Sequence, residues 1–121
     1  MFLNNLKIGN IGEKAACSFL KKSGYKIIKK NYRKKFGEID IIAEKDGDVS
    51  FVEVKTRSSN DYGTPCQAVN KAKQERIIKT AKAYIIENSL DKNYTFDVIE
   101  IFHSNGKITD ITHIEGAFGV F

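Results

Sequence analysis

The dipeptide Asp46-Gly47 constrains the fold more than any other part of this sequence, because segments of alternating apolar and polar residues flank it on both sides. Asp-Gly is typical of the two-residue type I′ turn, in which both central residues take positive φ. The segment therefore predicts a β-hairpin, with strands over residues 38–43 and 49–55. Because each residue of such a hairpin has a fixed partner, the turn also predicts the register of the strand pair.

In this register Asp40 opposes Glu53, and directly opposed side chains have Cβ atoms about 5 Å apart on one face of the sheet. Lys55 projects from that same face, two residues further along. The opposite face receives apolar residues that are expected to form core, namely Ile39, Ile41, Val52 and Val54. A three-residue turn over 46–48 would oppose Asp40 to Val54 instead, but Asp-Gly favours the shorter turn.

Two opposed carboxylates repel by about 3 kcal/mol at an effective dielectric of about 20, so a positive charge is expected between them. Lys55 supplies one such charge. A divalent metal can bridge both carboxylates, because hard cations prefer oxygen ligands. Two acids that hold a metal beside a lysine can activate water and neutralise charge on a phosphodiester. The pattern indicates metal-dependent phosphodiester hydrolysis, and the alternative is a surface salt-bridge cluster.

Two helices are predicted, one on each side of this hairpin in the chain. The first covers residues 10–22, with Asn10 as N-cap and Gly24 as terminator. Glu13 lies at the edge of its buried stripe, where it can reach over the sheet as another metal ligand. The alternative for Glu13 is a capping box with Asn10. The second, longer helix covers residues 70–87.

The remaining strands are predicted at residues 25–28, before a basic loop, and in "NYTFDVIEIF" and "KITDITHI", which Asn105-Gly106 connects. The order α-β-β-β-α-β-β, with the long helix as crossover, predicts an α/β fold whose third and fourth strands run parallel in a mixed sheet flanked by helices. Without a repeat or linker, the chain is expected to form a single domain over residues 1–121. The apolar tail, residues 114–121, can close the fold or dock a partner.

A net charge of +5 suits an anionic partner such as nucleic acid. Basic residues cluster before the second strand, one arginine lies two residues beyond Lys55, and two polar residues lie where a helix N-terminus favours phosphate. The predicted phosphate contacts are Lys29, Lys30, Arg33, Lys34, Lys35, Arg57, Lys71 and Gln74. The alternatives are a solvated loop, plain helix surface and, for Arg57, an ion pair with a carboxylate. Glu38 can extend the metal site or pair with Arg33.

Other function classes fit the sequence poorly. No apolar run approaches the roughly 20 residues of a membrane span. The start lacks the basic region and continuous apolar segment of a secretory signal, so we expect a cytoplasmic protein. Cys17 and Cys66 are isolated from each other and from His103 and His113, which predicts reduced thiols rather than a disulfide framework or a zinc site.

Five motifs follow one another over nearly the whole chain: "IGNIGEKAACSFLKKSGYKIIKKNYR", "FGEIDIIA", "FVEVKTR", "YGTPCQAVNKAKQERI" and "FDVIEI". Together they resemble the YraN-like family of endonuclease-like bacterial proteins, within the PD-(D/E)xK nucleases and near their Holliday-junction-resolvase-like branch. The resemblance implies a restriction-endonuclease-like fold, with Asp40, Glu53 and Glu13 as ligands of Mg²⁺ or Mn²⁺ and Lys55 as catalytic lysine. Ile39 stands where the named motif has its proline.

The sequence thus predicts a metal-dependent endonuclease that acts on DNA, and the resemblance extends this to branched or structured DNA. Symmetric cleavage of two strands by a chain with one site would require a homodimer. The alternative is a non-catalytic nucleic-acid-binding module with the same fold. An interaction subunit whose partner supplies specificity is compatible with either function.

Overall fold

The strands form one mixed sheet in the order β1-β2-β3-β4-β5, and only β3 and β4 are parallel. The computed structural model describes residues 4–61 and 69–119. Its elements are α1 Asn5–Lys22, β1 Lys26–Lys34, β2 Gly37–Lys45, β3 Asp48–Ser58, a short 3-10 helix Ser59–Asp61, α2 Lys71–Glu87, β4 Tyr94–Ser104 and β5 Lys107–Phe118. The predicted order, the mixed sheet and the parallel pair are confirmed. No helix within the two described ranges is long and apolar enough to cross a membrane.

The turn between β2 and β3 has the predicted conformation. Asp46 and Gly47 both take positive φ, of 53° and 85°, as a type I′ turn requires. The paired residues run from Lys45 opposite Asp48 up to Ile41 opposite Val52, which is the register that the two-residue turn predicts. The predicted register is therefore confirmed up to the residue that precedes the acidic pair.

Helices cover both faces of the sheet, and each encloses its own apolar cluster. One cluster joins α1 to the sheet through Ala16, Cys17, Leu20, Ile41, Ala43, Val52, Ile99 and Ile101. The other joins α2 to the opposite face through Tyr32, Ile39, Ile42, Val49, Phe51, Ile77, Ala81, Tyr84 and Phe96. The sheet is buried on both faces, so the charged residues of β2 and β3 lie beyond the ends of these clusters.

The prediction that one face of the sheet carries Ile39, Ile41, Val52 and Val54 is wrong. Ile39 packs in the α2 cluster, whereas the other three belong to or pack against the α1 cluster. The reason lies at Asp40, where the regular ladder to β3 ends. The Val54 N–H donates to Asp40 Oδ2 at 2.8 Å, so a side chain replaces the backbone as hydrogen-bond acceptor. Strict alternation does not continue through this residue.

Helix α1 begins earlier than predicted, because its N-cap is Asn4, whose side chain accepts from the Lys7 N–H at 2.8 Å. Asn10 lies inside the helix, so its predicted capping role is wrong, and with it the capping box that would have explained Glu13. At the other end, Gly24 takes φ 94° directly after the C-cap and ends the helix as predicted.

Strand β1 is longer than predicted, since it continues through the expected basic loop as far as Lys34. Tyr32 pairs with Ile39 and is buried against α2, which anchors this part of the strand. Because β1 is an edge strand, its lysines also protect it from pairing with another chain. At the other edge, Phe118 stacks on Phe96 at 5.3 Å between ring centroids, so the apolar tail closes the fold as far as the described residues extend.

Gly12 allows α1 to lie directly on β3, and Gly12→Ala is expected to destabilise the protein by about 1–3 kcal/mol. A Cβ at this position would lie 1.9 Å from Thr56 Oγ1 and 3.1 Å from Thr56 Cβ, and this β-branched side chain has little freedom to move. Gly9 is a matched control, because a Cβ there meets nothing within 4 Å. Gly9→Ala should stabilise by about 0.5–1 kcal/mol. Urea unfolding of both variants measures these effects, and equal effects would contradict the close contact.

Candidate active site

A cleft of about 740 Å³ opens where α1, β3 and α2 meet beyond the apolar clusters. Glu13 comes from α1, Asp40 from β2, and Glu53 and Lys55 from β3. The structure therefore brings all four predicted catalytic residues to one cleft. The contact of Gly12 with β3 places the neighbouring Glu13 at its edge.

Asp40 and Glu53 form a close acidic pair at the bottom of this cleft. Glu53 is buried, and a hydrogen bond connects the two carboxyl groups. Burial, together with the hydrogen bond and the negative charge of Glu53, raises the pKa of Asp40 to about 8, against the opposing effect of the Val54 N–H. Near neutral pH Asp40 therefore keeps its proton, which relieves the repulsion expected between the two acids.

Glu13 belongs to a second group of polar residues beside this pair. Burial and the charges of Glu38 and Glu53 raise the pKa of Glu13, whereas Arg33 and Lys30 oppose the rise. With its amide oriented to satisfy the hydrogen bonds, Asn31 donates to Glu13 Oε1 at 3.0 Å and to Glu38 Oε1 at 3.1 Å. Glu13 is thus held towards β1.

Glu38 takes one of its two predicted alternatives. Its Oε2 lies 3.3 Å from Arg33 Nε. Glu38 therefore pairs with Arg33, as the second alternative predicted, and does not extend the metal site. The carboxyl groups at the bottom of the cleft are those of Asp40 and Glu53.

Lys73 is a site residue that the sequence analysis missed. It extends from the first turn of α2 and forms an ion pair with Glu53. Helical periodicity alone places Lys73 on a face of the helix away from the core. The topology of the chain could have indicated Lys73. A helix that connects two parallel strands begins beyond the end of the first strand, and here the first strand is β3, which carries Glu53.

Lys73→Met is expected to destabilise the protein by about 1 kcal/mol in the presence of chelator, because it leaves the buried Glu53 carboxylate without its cation. The effect is held to this size because the Lys73 side chain is 49% exposed and the pair is screened by water. Lys71→Met removes an exposed lysine from the same helix turn and serves as control. Urea unfolding should separate the two variants, and equal free energies of unfolding would contradict a stabilising role of the pair.

Arg57 and Glu100 form a second, more deeply buried ion pair, with 3.1 Å between Nη1 and Oε2. The guanidinium also lies 6.0 Å from the centroid of the Phe102 ring. Arg57 therefore takes the predicted alternative of an ion pair, but with a carboxylate that had not been considered. Glu100 pairs with Lys55 in the parallel register of β3 and β4. An alignment of "FDVIEI" beside β3 could therefore have indicated that Glu100 lies near Arg57.

The basic residues of β1 divide between the two faces of the sheet. The positive charges of Arg33 and Lys30 favour the ionised form of Glu13, so both residues lie on the same side of the sheet as this carboxyl group. Lys29 and Lys34 lie over the Tyr32 ring, at 5.6 Å and 5.4 Å from its centroid, on the α2 side. Lys34 also forms an ion pair of 2.7 Å with Glu87. The structure thus brings two of these four predicted phosphate contacts towards the acids.

The other predicted phosphate contacts are less closely connected with the cleft. Lys35 is exposed in the turn between β1 and β2, and Lys71 is exposed at the start of α2. Gln74 donates from Nε2 to the Val69 carbonyl at 2.9 Å, so its amide supports the local backbone at the start of the helix. Their contact with phosphate stays a prediction.

The residues of the cleft fit a divalent metal in part. The predicted ligands are carboxylates, whose oxygen atoms suit Mg²⁺ or Mn²⁺, and Asp40 and Glu53 form a pair that could hold a cation once Asp40 loses its proton. Within residues 4–61 and 69–119, no three Asp, Glu, His or Cys side chains are arranged to hold a metal ion. Glu13, held by Asn31, stays a predicted third ligand.

Asp97 has a structural role outside the cleft. It is fully buried and accepts from the Thr95 hydroxyl at 2.8 Å and the Gly116 N–H at 3.0 Å, while its Oδ2 lies 2.9 Å from His113 Nε2. Burial favours a higher pKa, but these three hydrogen bonds outweigh it and lower the pKa of Asp97. The carboxylate therefore ties β5 to β4 on the α1 side of the sheet.

Fold and site together define a mixed α/β protein in which one cleft holds an acidic pair, an exposed lysine and a Lys73–Glu53 ion pair. The profile of the uncharacterised protein family UPF0102 matches residues 12–101. The chain belongs to this family. A UPF0102 protein of Clostridium acetobutylicum is 50% identical over 119 residues, which cover 96% of this chain and 97% of that protein. A UPF0102 protein of Clostridioides difficile is 45% identical and is covered over its full length, with 96% of this chain matched. These names state no activity.

Proposed function

We propose that this protein is a metal-dependent nuclease that hydrolyses phosphodiester bonds in DNA. The observation that supports this most directly is the position of Asp40, Glu53 and Lys55 in one cleft, with the two acids close enough to share a hydrogen bond. A close pair of carboxyl groups beside a lysine combines a site for a divalent cation with a positive charge for a phosphate.

Each residue has a distinct part in the proposed reaction. Asp40 and Glu53 would hold Mg²⁺ or Mn²⁺, which when bound supplies Lewis acidity and lowers the pKa of a bound water. Lys55 is exposed in the cleft and free of ion pairs in the described part of the chain, so its ammonium group can face the phosphate and neutralise developing charge. Glu13, with its raised pKa, can exchange a proton near the reacting atoms.

A non-catalytic nucleic-acid-binding module is the second candidate, and one observation favours it. Lys73 and the shared proton already compensate the acidic pair, so the buried carboxylates do not require a metal for their stability. In such a module, the basic residues around the cleft would bind DNA while the acids stabilise the fold.

Cleavage assays on purified protein distinguish the two candidates. Labelled single-stranded, linear duplex, flapped and four-way-junction DNA, with a matched RNA strand, would be incubated with Mg²⁺, Mn²⁺ or chelator. The nuclease should cut at least one DNA substrate only when metal is present, and Asp40→Asn should abolish the cut. Salt-sensitive binding without cleavage of any substrate would instead establish the binding module.

The proposed function also includes a cytoplasmic location and, if both strands of a duplex are cut symmetrically, a homodimer. Light scattering of the protein with and without a junction substrate measures the oligomeric state. A monomer that makes paired symmetric cuts in a single binding event would contradict the dimer.

A further inference from the structure

A basic groove lies beside the cleft, between α1 and β1, with a volume of about 510 Å³. Lys14 and Lys21 line it from α1, and Lys30 lines it from β1. Glu13 lines both the groove and the cleft, so the two depressions meet at this residue. The cleft and the groove are therefore neighbours, and Glu13 lies between them.

The three groove lysines are exposed, and none of them forms an ion pair within residues 4–61 and 69–119. Three other basic residues near the site are paired with acids. These ion pairs are Arg33–Glu38, Arg57–Glu100 and Lys73–Glu53. Within the described residues, the groove thus carries three lysines outside any ion pair and one carboxyl group, that of Glu13.

The spacing of these charges suits an extended anionic chain. Lys14 and Lys21 are separated by two helix turns, or about 10 Å along the axis of α1, and lie on the same side of the helix. Lys30 faces them from the edge strand. The described lining residues include no aromatic ring, so the groove offers charge and hydrogen bonds rather than stacking surfaces for bases. Contacts of this kind recognise phosphates without reading sequence.

We propose that this groove binds the sugar–phosphate backbone of a nucleic-acid strand outside the phosphodiester in the cleft, through Lys14, Lys21 and Lys30. The inference rests on the proposed function for the role of the cleft, and it adds the direction in which the strand leaves, past Glu13 and along α1. The backbone can belong to a single-stranded arm or to one strand of a duplex, and both present the same chemistry.

The test measures binding, without cleavage, in the presence of chelator. Fluorescence anisotropy of a labelled single strand, a blunt duplex and a duplex with a single-stranded arm would be followed over a range of salt. The variant Lys14→Gln/Lys21→Gln/Lys30→Gln should bind about 100-fold more weakly at about 0.1 M salt, with a salt slope lower by about 2 on the single strand. A control, Lys26→Gln/Lys82→Gln/Lys107→Gln, removes as many exposed lysines elsewhere.

The arms of the experiment identify the ligand and separate this inference from the proposed function. If the groove variant loses affinity for the single strand and the armed duplex, but not for the blunt duplex, the groove binds a single-stranded arm. If it loses affinity equally for all three ligands, the groove binds one strand of a duplex. If no DNA is ever cleaved but the groove variant still loses affinity, only the nuclease proposal fails. If the groove variant and its control bind alike, the groove proposal is overturned, whether or not DNA is cleaved.

Discussion

Asp40→Asn is expected to stabilise the metal-free protein at alkaline pH while it abolishes cleavage. The asparagine can keep both hydrogen bonds of the protonated acid: its carbonyl oxygen can accept from the Val54 N–H, and its amide can donate to Glu53. What it removes is the ionisation of a half-buried carboxyl group beside another carboxylate. The variant therefore separates the contribution of Asp40 to the fold from its proposed contribution to catalysis.

The direction of the effect follows from the pKa of Asp40, which is about 8 in the folded protein and 3.8 in the reference state of an unperturbed side chain. Between these values the folded protein keeps a proton that the unfolded chain has lost, so folding takes up a proton. The free energy of unfolding therefore decreases as the pH rises through this window, by about 1.4 kcal/mol per pH unit at most. This decrease is absent in Asp40→Asn.

Urea unfolding in chelator, from about pH 5 to about pH 9, measures this difference. At the alkaline end the variant should exceed the native sequence by roughly 2–5 kcal/mol, and this difference should narrow as the pH falls towards 5. Glu75→Gln, which removes an exposed carboxyl group from α2, serves as control and should leave the pH dependence unchanged. Parallel pH profiles of Asp40→Asn and the native sequence would contradict a protonated acidic pair.

The same variant should lower metal-dependent cleavage by about 10³-fold, since it removes one carboxylate of the acidic pair that is proposed to hold the metal. A more stable protein that no longer cuts DNA cannot be explained by misfolding. If Asp40→Asn cleaves at the native rate, the acidic pair has no part in catalysis.

The hairpin shows how far local sequence determines this site. Asp46-Gly47 was sufficient to predict the register of β2 and β3, because only one turn type suits both positive φ values. The placement of Ile39 could not be predicted in the same way. It depends on the Asp40 side chain, which accepts a backbone N–H and ends the regular ladder, so a rule based on alternating side chains stops being valid at the functional residue.

The misses elsewhere have comparable physical causes. Asn10 is of a residue type that often caps helices, but the N-cap of α1 is Asn4 and the helix continues through Asn10. The low helix propensity of asparagine is a small cost in free energy, which the hydrogen bonds of the additional helical turn outweigh. Lys73 reaches the cleft, and Glu100 reaches Arg57, only because α2 and β4 return beside β3. Contacts between elements that are distant in the chain cannot be derived from the periodicity of either element alone.

Lys55→Met should lower metal-dependent cleavage by about 10²–10³-fold, the range observed when a single charge-stabilising group is removed from an active site. Within the described part of the chain Lys55 is exposed and forms no ion pair, unlike Lys73, so its loss should leave the free energy of unfolding within about 0.5 kcal/mol of the native value. A methionine keeps much of the length of the side chain and removes only its charge.

The matched variant Lys71→Met removes another exposed lysine from the α2 end that also supplies Lys73 to the cleft, and it should change cleavage by no more than a few-fold. Rates would be measured at saturating DNA, so that weaker binding does not lower them. If both variants lose the same fraction of the cleavage rate, Lys55 is a general phosphate contact and has no specific part in catalysis. Native cleavage by Lys55→Met, beside inactive Asp40→Asn, would assign catalysis to the acids without the lysine. A selective loss would show that the charge next to the acidic pair acts on the reacting phosphate.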